Sequence, residues 1–75
     1  MKNNHQVLVF KTNLSGQREV EAIGPVLSTI PAVLQWNVDL MDVDKVLRVV
    51  APGLEPAEII SLVCGQGYNC EELPD

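Results

Sequence analysis

Cys64 and Cys70 are the only thiols in this sequence of 75 residues. Two thiolates could bind a soft metal ion such as Cu(I), or they could take part in thiol–disulfide exchange. The five residues between them match no standard zinc or redox spacing. Free cysteine is also among the most often buried residue types. We therefore predict two small core fillers and keep a displaced metal or redox site as the alternative.

Three aspartates, Asp39, Asp42 and Asp44, surround a predicted turn. A calcium site of the usual kind needs a glycine-containing loop of about twelve residues with a closing glutamate, and the sequence has none. We predict solvated turn carboxylates. His5 lies in a polar N-terminal segment with no second histidine or cysteine nearby. Without a nucleophile–base set, the sequence predicts a protein that is not an enzyme and uses no cofactor.

The charge of the chain narrows the class of partner. Ten acidic and five basic residues give a formal net charge of −5 and a pI of about 4.6. The basic residues are scattered, which argues against nucleic acid and anionic membranes as partners. No apolar run approaches the roughly 20 residues of a membrane span, and the N-terminus lacks a secretory signal. We expect a cytoplasmic protein with reduced thiols.

The length allows one domain, expected over residues 1–75 with an ordered core at about 6–73. Apolar spacings of three and four residues predict helices around residues 20–30 and 56–65. Short apolar or alternating runs predict four strands, "QVLVFKT", "VLQWNVDL", "KVLRVV" and "YNCEEL". This β-α-β-β-α-β order predicts a ferredoxin-like α+β sandwich. Its four-stranded antiparallel sheet should have the order 4-1-3-2, with both helices on one face.

Particular residues predict where the helices begin and end. Ser15 is a candidate N-cap for the first helix. Pro25 removes a hydrogen bond inside that helix and predicts a kink or a break, and Pro31 predicts its end. Pro56 suits the first position of the second helix. We expect Trp36 in the core rather than on an exposed stacking surface.

Several short motifs, in this order and at these separations, resemble the heavy-metal-associated domain of copper chaperones and metal-transporting ATPases. "IPAVLQWNVDL" at 30–40 matches the turn and second strand of that family, and "GY" at 67–68 matches its last corner. Aligned without gaps, Leu14 takes the place of the loop methionine. Gly16 and Glu19 take the places of the two metal-binding cysteines. The resemblance therefore implies the family's fold with a degenerate metal loop.

Two expectations follow from the resemblance. Residues 13–19 should hold neither Cu(I) nor Zn(II), because glycine offers no ligand and Cu(I) prefers sulfur to a carboxylate oxygen. Leu14 should pack inward beneath the first helix. Cys70 falls where the family has a small residue facing the core, whereas Cys64 follows the buried stripe and should be partly exposed.

Alternation along the strands predicts an uncovered face of the sheet. Residues on that face are candidates for an interface, and they are Val7, Val9, Lys11, Val46, Arg48 and Val50. The valines could be an ordinary apolar fraction of the surface or a contact patch with charged flanks.

Three functions remain open from the sequence. The first is a non-enzymatic interaction module that binds a protein partner or a second copy of itself, with no role for metal, nucleic acid or membrane. The second is a metal-trafficking protein that uses Cys64, Cys70 or His5 as ligands. The third is a small-molecule-binding regulatory domain, since such domains share the β-α-β-β-α-β order.

Overall fold

The computed structural model describes residues 7–74, so His5 lies outside the described residues. Six elements follow one another: β1 (Val7–Thr12), α1 (Gln17–Ser28), β2 (Gln35–Asp39), β3 (Val46–Val50), α2 (Pro56–Gly65) and β4 (Cys70–Glu72). In this part of the chain, neither helix is long and apolar enough to cross a membrane.

The four strands form one antiparallel sheet in the order β2-β3-β1-β4. β1 lies at its centre, because it pairs with β3 on one side and with β4 on the other. Val7 pairs with Val50, and Phe10 pairs with Leu47. The predicted strand order and the ferredoxin-like arrangement, with both helices on one face, are confirmed.

The core lies between the sheet and the two helices and is mostly aliphatic. Its buried members are Phe10, Leu14, Ile23, Leu27, Leu47, Val49, Ala51, Ile59 and Val63. Full burial of one large apolar side chain is worth about 1.5–3 kcal/mol. The stripes predicted on the two helices supply Ile23, Leu27, Ile59 and Val63, so the sequence periodicity identified the helix faces correctly.

Trp36 packs against this core, as predicted, and its indole lies against Gly24 of α1. A Cβ at Gly24 would come within 3.2 Å of Trp36 Cζ2 and 3.6 Å of Cη2. Glycine inside a helix costs about 1 kcal/mol relative to alanine. Here it lets the indole approach the helix backbone closely.

Helix α1 differs from the sequence-based expectation at both ends and at Pro25. It runs without interruption through Pro25, so the break expected there is wrong. The proline ring is exposed, and burial of Ile23 and Leu27 on the opposite face helps to offset the lost hydrogen bond. The helix ends at Ser28, before Pro31.

The N-cap of α1 is also different from the one expected. Gly16 holds this position in an extended conformation with no side-chain hydrogen bond, so Ser15 is not the cap. Helix α2 begins as predicted with Pro56 in its first turn. Glu55 and Glu58 add a capping box that the sequence analysis did not identify.

Replacing Gly24 with alanine tests the contact with Trp36. The added methyl gains about 1 kcal/mol of helix propensity but overpacks the indole, which typically costs 1–3 kcal/mol. We expect a net loss of roughly 1 kcal/mol in the free energy of unfolding, measured by urea denaturation. The control is Gly65→Ala, because a Cβ there meets nothing within 4 Å. Equal stability of the two variants would contradict the contact.

Candidate functional site

Three connections meet at one end of the sheet, which we call the loop end: residues 13–16, 40–45 and 66–69. The antiparallel register brings them together. β1 ends at Thr12, which pairs with Cys70 at the start of β4. Phe10 pairs with Leu47 near the start of β3, so the β2–β3 hairpin also lies here. The loop that resembles a metal site therefore lies beside both cysteines.

Thr12 ties two of these connections to each other. Its side chain is buried, and its hydroxyl donates to the Lys45 carbonyl oxygen over 2.6 Å. The same hydroxyl accepts from the Leu14 N–H over 3.2 Å, and the Thr12 N–H donates to the Asp44 carbonyl oxygen over 3.0 Å. Lys45 has a φ of 45°, a left-handed conformation that is uncommon for a residue with a side chain. One hydroxyl thus holds the start of the β1–α1 loop against the end of the hairpin.

Thr12 was not predicted from the sequence, although a signal was present. Alternate residues of β1 point toward the core, and after Leu8 and Phe10 the next of these residues is Thr12. A hydroxyl residue at an inward position requires a hydrogen-bond partner.

Leu14 is fully buried in the core, which confirms that it packs inward. Gly16 and Glu19 lie next to each other. A Cβ at position 16 would lie 3.3 Å from Glu19 Oε1. This carboxylate sits in the first turn of α1, where the helix dipole favours a negative charge. The loop therefore combines an apolar plug, a bare backbone and one hard oxygen ligand.

The aspartates of the hairpin are engaged in turn formation. Asp39 Oδ1 accepts from the Met41 N–H over 3.1 Å, and Asp42 Oδ1 accepts from the Asp44 N–H over 2.8 Å. Asp44 also lies 3.9 Å from the Lys11 ammonium in an exposed ion pair. Within residues 7–74, no group of three or more His, Cys, Asp or Glu side chains could hold a metal ion.

The two cysteines line one cleft of about 450 Å³ at the loop end. Its lining residues are Lys11, Thr12, Asn13, Cys64, Asn69, Cys70 and Glu71. The Asn69 N–H donates to Asn13 Oδ1 over 2.8 Å and joins the α2–β4 connection to the β1–α1 loop. The sequence analysis identified neither asparagine.

The two thiols differ in environment and are both free. Cys64 is exposed, as its position after the buried stripe indicated, so the prediction that both cysteines are core fillers is wrong for Cys64. Cys70 is half-buried and packs against the core. Burial raises the pKa of the Cys70 thiol to about 12, with a smaller contribution from the negative charge of Cys64. Both residues line the same cleft.

The uncovered face of the sheet is less exposed than its sequence suggested. Val7 is 41% exposed and Val9 and Val50 are half-buried, but Val46 is only 5% exposed. The prediction that all four valines form an exposed patch is wrong at Val46. This residue lies on an inner strand and pairs with Asp39 of β2.

Replacing Thr12 with valine tests its role at the loop end. The isosteric change leaves the Leu14 N–H and the Lys45 carbonyl without this partner, and an unsatisfied buried group costs about 1–3 kcal/mol. We expect a loss of about 2 kcal/mol in the free energy of unfolding and faster amide exchange at Leu14. Thr12→Ser is the control, since it keeps the hydroxyl and removes only a methyl. If the valine variant is as stable as the serine variant, the hydroxyl does not hold the loops.

No family model and no curated protein matches the chain. Solved structures do match it. The copper(I)-loaded first domain of the human copper chaperone for SOD1, CCS, has a TM-score of 0.76 at 23% identity, over 93% of this chain and 94% of that one. The N-terminal domain of ZntA in its Zn(II) form has a TM-score of 0.76 at 15% identity, over 93% of each chain.

A third structure, the apo HMA domain of a copper chaperone for superoxide dismutase, has a TM-score of 0.75 at 22% identity. The match covers 99% of this chain and 74% of that chain. Similarity at these identities concerns the backbone rather than the ligands. The chain has the fold of heavy-metal-associated domains, as its sequence motifs predicted.

Proposed function

We propose that the protein is a small, non-enzymatic interaction module of the cytoplasm, built as one domain on the fold of heavy-metal-associated domains. Its β1–α1 loop does not transfer metal. The observation that carries this proposal is the burial of Leu14 as an apolar plug in that loop. The gapless alignment of the sequence, which puts Gly16 and Glu19 at the positions of the family's two cysteines, supports it.

The donor set of the loop does not fit a soft metal ion. Glu19 offers carboxylate oxygens, whereas Cu(I) selects thiolate and thioether sulfur. A closed Zn(II) site needs four ligands, and the loop offers one side chain. Leu14 cannot act as a ligand, and its N–H is already bonded to the Thr12 hydroxyl. Nothing in this arrangement depends on a metal for its shape.

The surface we assign to partner binding is the uncovered face of the sheet without Val46. This surface is contiguous because of the register between β1 and β3. Val7 pairs directly with Val50, and Val9 pairs directly with Arg48. Directly opposed side chains are in contact range. The exposed Lys11 pairs with Glu71 of β4 at its edge. An apolar centre flanked by charges of both signs can meet a second copy of itself, because a two-fold contact uses the same surface twice.

Introducing ligands tests whether the loop lacks only its cysteines. In a chain with Cys64→Ser and Cys70→Ser, we expect no binding of Cu(I) or Zn(II) in competition with a chromophoric chelator. Adding Gly16→Cys and Glu19→Cys should then give one tightly bound Cu(I), because side chains at these positions converge. The single Gly16→Cys chain is the matched control and should bind weakly. Tight stoichiometric binding before any cysteine is introduced would refute the proposal.

Val9→Glu tests the proposed contact surface. A carboxylate at the apolar centre should abolish self-association or the binding of a partner protein. The fold should be preserved, because the side chain at position 9 points away from the helices. Sedimentation of both chains over a range of concentrations measures the association. Ala22→Glu is the control, because it adds the same charge at an exposed position on α1, on the other side of the molecule. Association that is unchanged by Val9→Glu, or reduced equally by Ala22→Glu, excludes this surface.

A small-molecule regulatory function gives a different result. A ligand that binds the folded chain raises its melting temperature with concentration. Such a shift with an amino acid or another metabolite, together with monomeric behaviour of the wild type, would favour that function over the interaction module.

A further inference from the structure

The spacing of the two cysteines is set by a helix–turn–strand connection. Cys64 lies in the last turn of α2, and Cys70 opens β4. Between them, the Gly67 N–H donates to the Cys64 carbonyl oxygen over 3.0 Å, and Gly67 has a φ of 96°, in the region that favours glycine. The chain therefore reverses directly after the helix. Five intervening residues, which match no linear motif, bring both thiols to one cleft.

The cleft is accessible from solvent and held by its own contacts. Cys64 is exposed at its rim, and Cys70 lies half-buried further in. The hydrogen bond between Asn69 and Asn13 fixes the connection that carries the thiols. Cys70 is further held by its pairing with Thr12 across the sheet. Two sulfur atoms are thus presented by a structured site rather than by a mobile tail.

We propose that Cys64 and Cys70 together bind one Cu(I) ion as a two-thiolate site. Binding exchanges two thiol protons, released to solvent, for one copper ion that forms two Cu–S bonds, and no electrons are transferred. The resulting centre carries one negative charge. Lys11 and Glu71, which carry opposite charges, also line the cleft.

Copper(I) fits this donor set better than zinc does. Soft thiolate ligands select Cu(I), and two of them are present. A structural Zn(II) site requires four ligands in a tetrahedron. The described residues offer no group of three or more His, Cys, Asp or Glu side chains for it. The site is therefore expected to discriminate between the two metals.

The inference goes beyond the proposed interaction module and does not depend on it. The two thiols belong to α2 and β4, whereas the valines of the contact surface lie on the other face of the sheet. Lys11 and Glu71 border both the cleft and that surface. Loss of self-association in the Val9→Glu chain and copper binding are separate measurements, so each proposal can fail alone.

The test is an anaerobic titration of the reduced full chain with Cu(I) against bicinchoninate, combined with native mass spectrometry. We expect one copper per chain and no 1:1 complex with Zn(II). Cys64→Ser should weaken Cu(I) binding by more than roughly 100-fold, because mutating a residue that only supports a metal ligand already costs up to that much. This exposed position keeps the fold intact. Cys70→Ala provides a second variant that avoids placing a hydroxyl against the core. Glu19→Gln is the matched control and should bind as the wild type does.

Three results would overturn the site. One is the absence of a copper complex in the presence of the competitor. Another is a complex that survives Cys64→Ser unchanged in a folded chain. The third is a stoichiometry of one copper to two chains, since that would place the metal between molecules. X-ray absorption that reports two sulfur neighbours in a 1:1 complex supports the intramolecular pair.

Discussion

The arrangement of the loop end depends on one buried hydroxyl. Thr12 ends the central strand, and its Oγ1 bridges the Lys45 carbonyl and the Leu14 N–H. Leu14 then enters the core directly after the strand, and α1 begins from the extended Gly16. Because Thr12 itself pairs with Cys70 of β4, the same strand end also positions Cys70. The three connections therefore share a support that uses hydrogen bonds and apolar packing alone.

This support fixes the β1–α1 loop through contacts within the protein. A structural metal site contributes folding free energy, and a chain that depends on it unfolds when the metal is removed. Here the loop is fixed by burial of Leu14, worth about 1.5–3 kcal/mol, and by the Thr12 hydrogen bonds. Gly16 and Glu19 lie outside the core. The shape of the loop therefore depends on Leu14 and Thr12.

The sequence predicted features that depend on local pattern. Apolar spacing identified the helix faces, and alternation placed Leu47 and Val49 inward. Features that depend on neighbours in space were missed. Val46 is buried although Arg48 and Val50, on the same face of the same strand, are not, and periodicity along a single strand cannot reveal this difference. At Pro25, a rule about local hydrogen bonds was overridden by packing of the helix around it. The bridging role of Thr12 required a carbonyl 33 residues away.

The cleft that holds the two cysteines also depends on residues that are neighbours in space rather than in sequence. Cys64 and Cys70 share no recognisable linear spacing, so the sequence favoured two independent core fillers. The turn at Gly67 and the pairing of Thr12 with Cys70 bring them to one cleft instead. A metal held there would link the end of α2 to the edge strand β4, a strand of three residues that pairs only with β1. Binding should therefore stabilise this edge of the sheet first. Backbone amide exchange in β4 would slow when copper binds, whereas exchange in β2 would be unaffected.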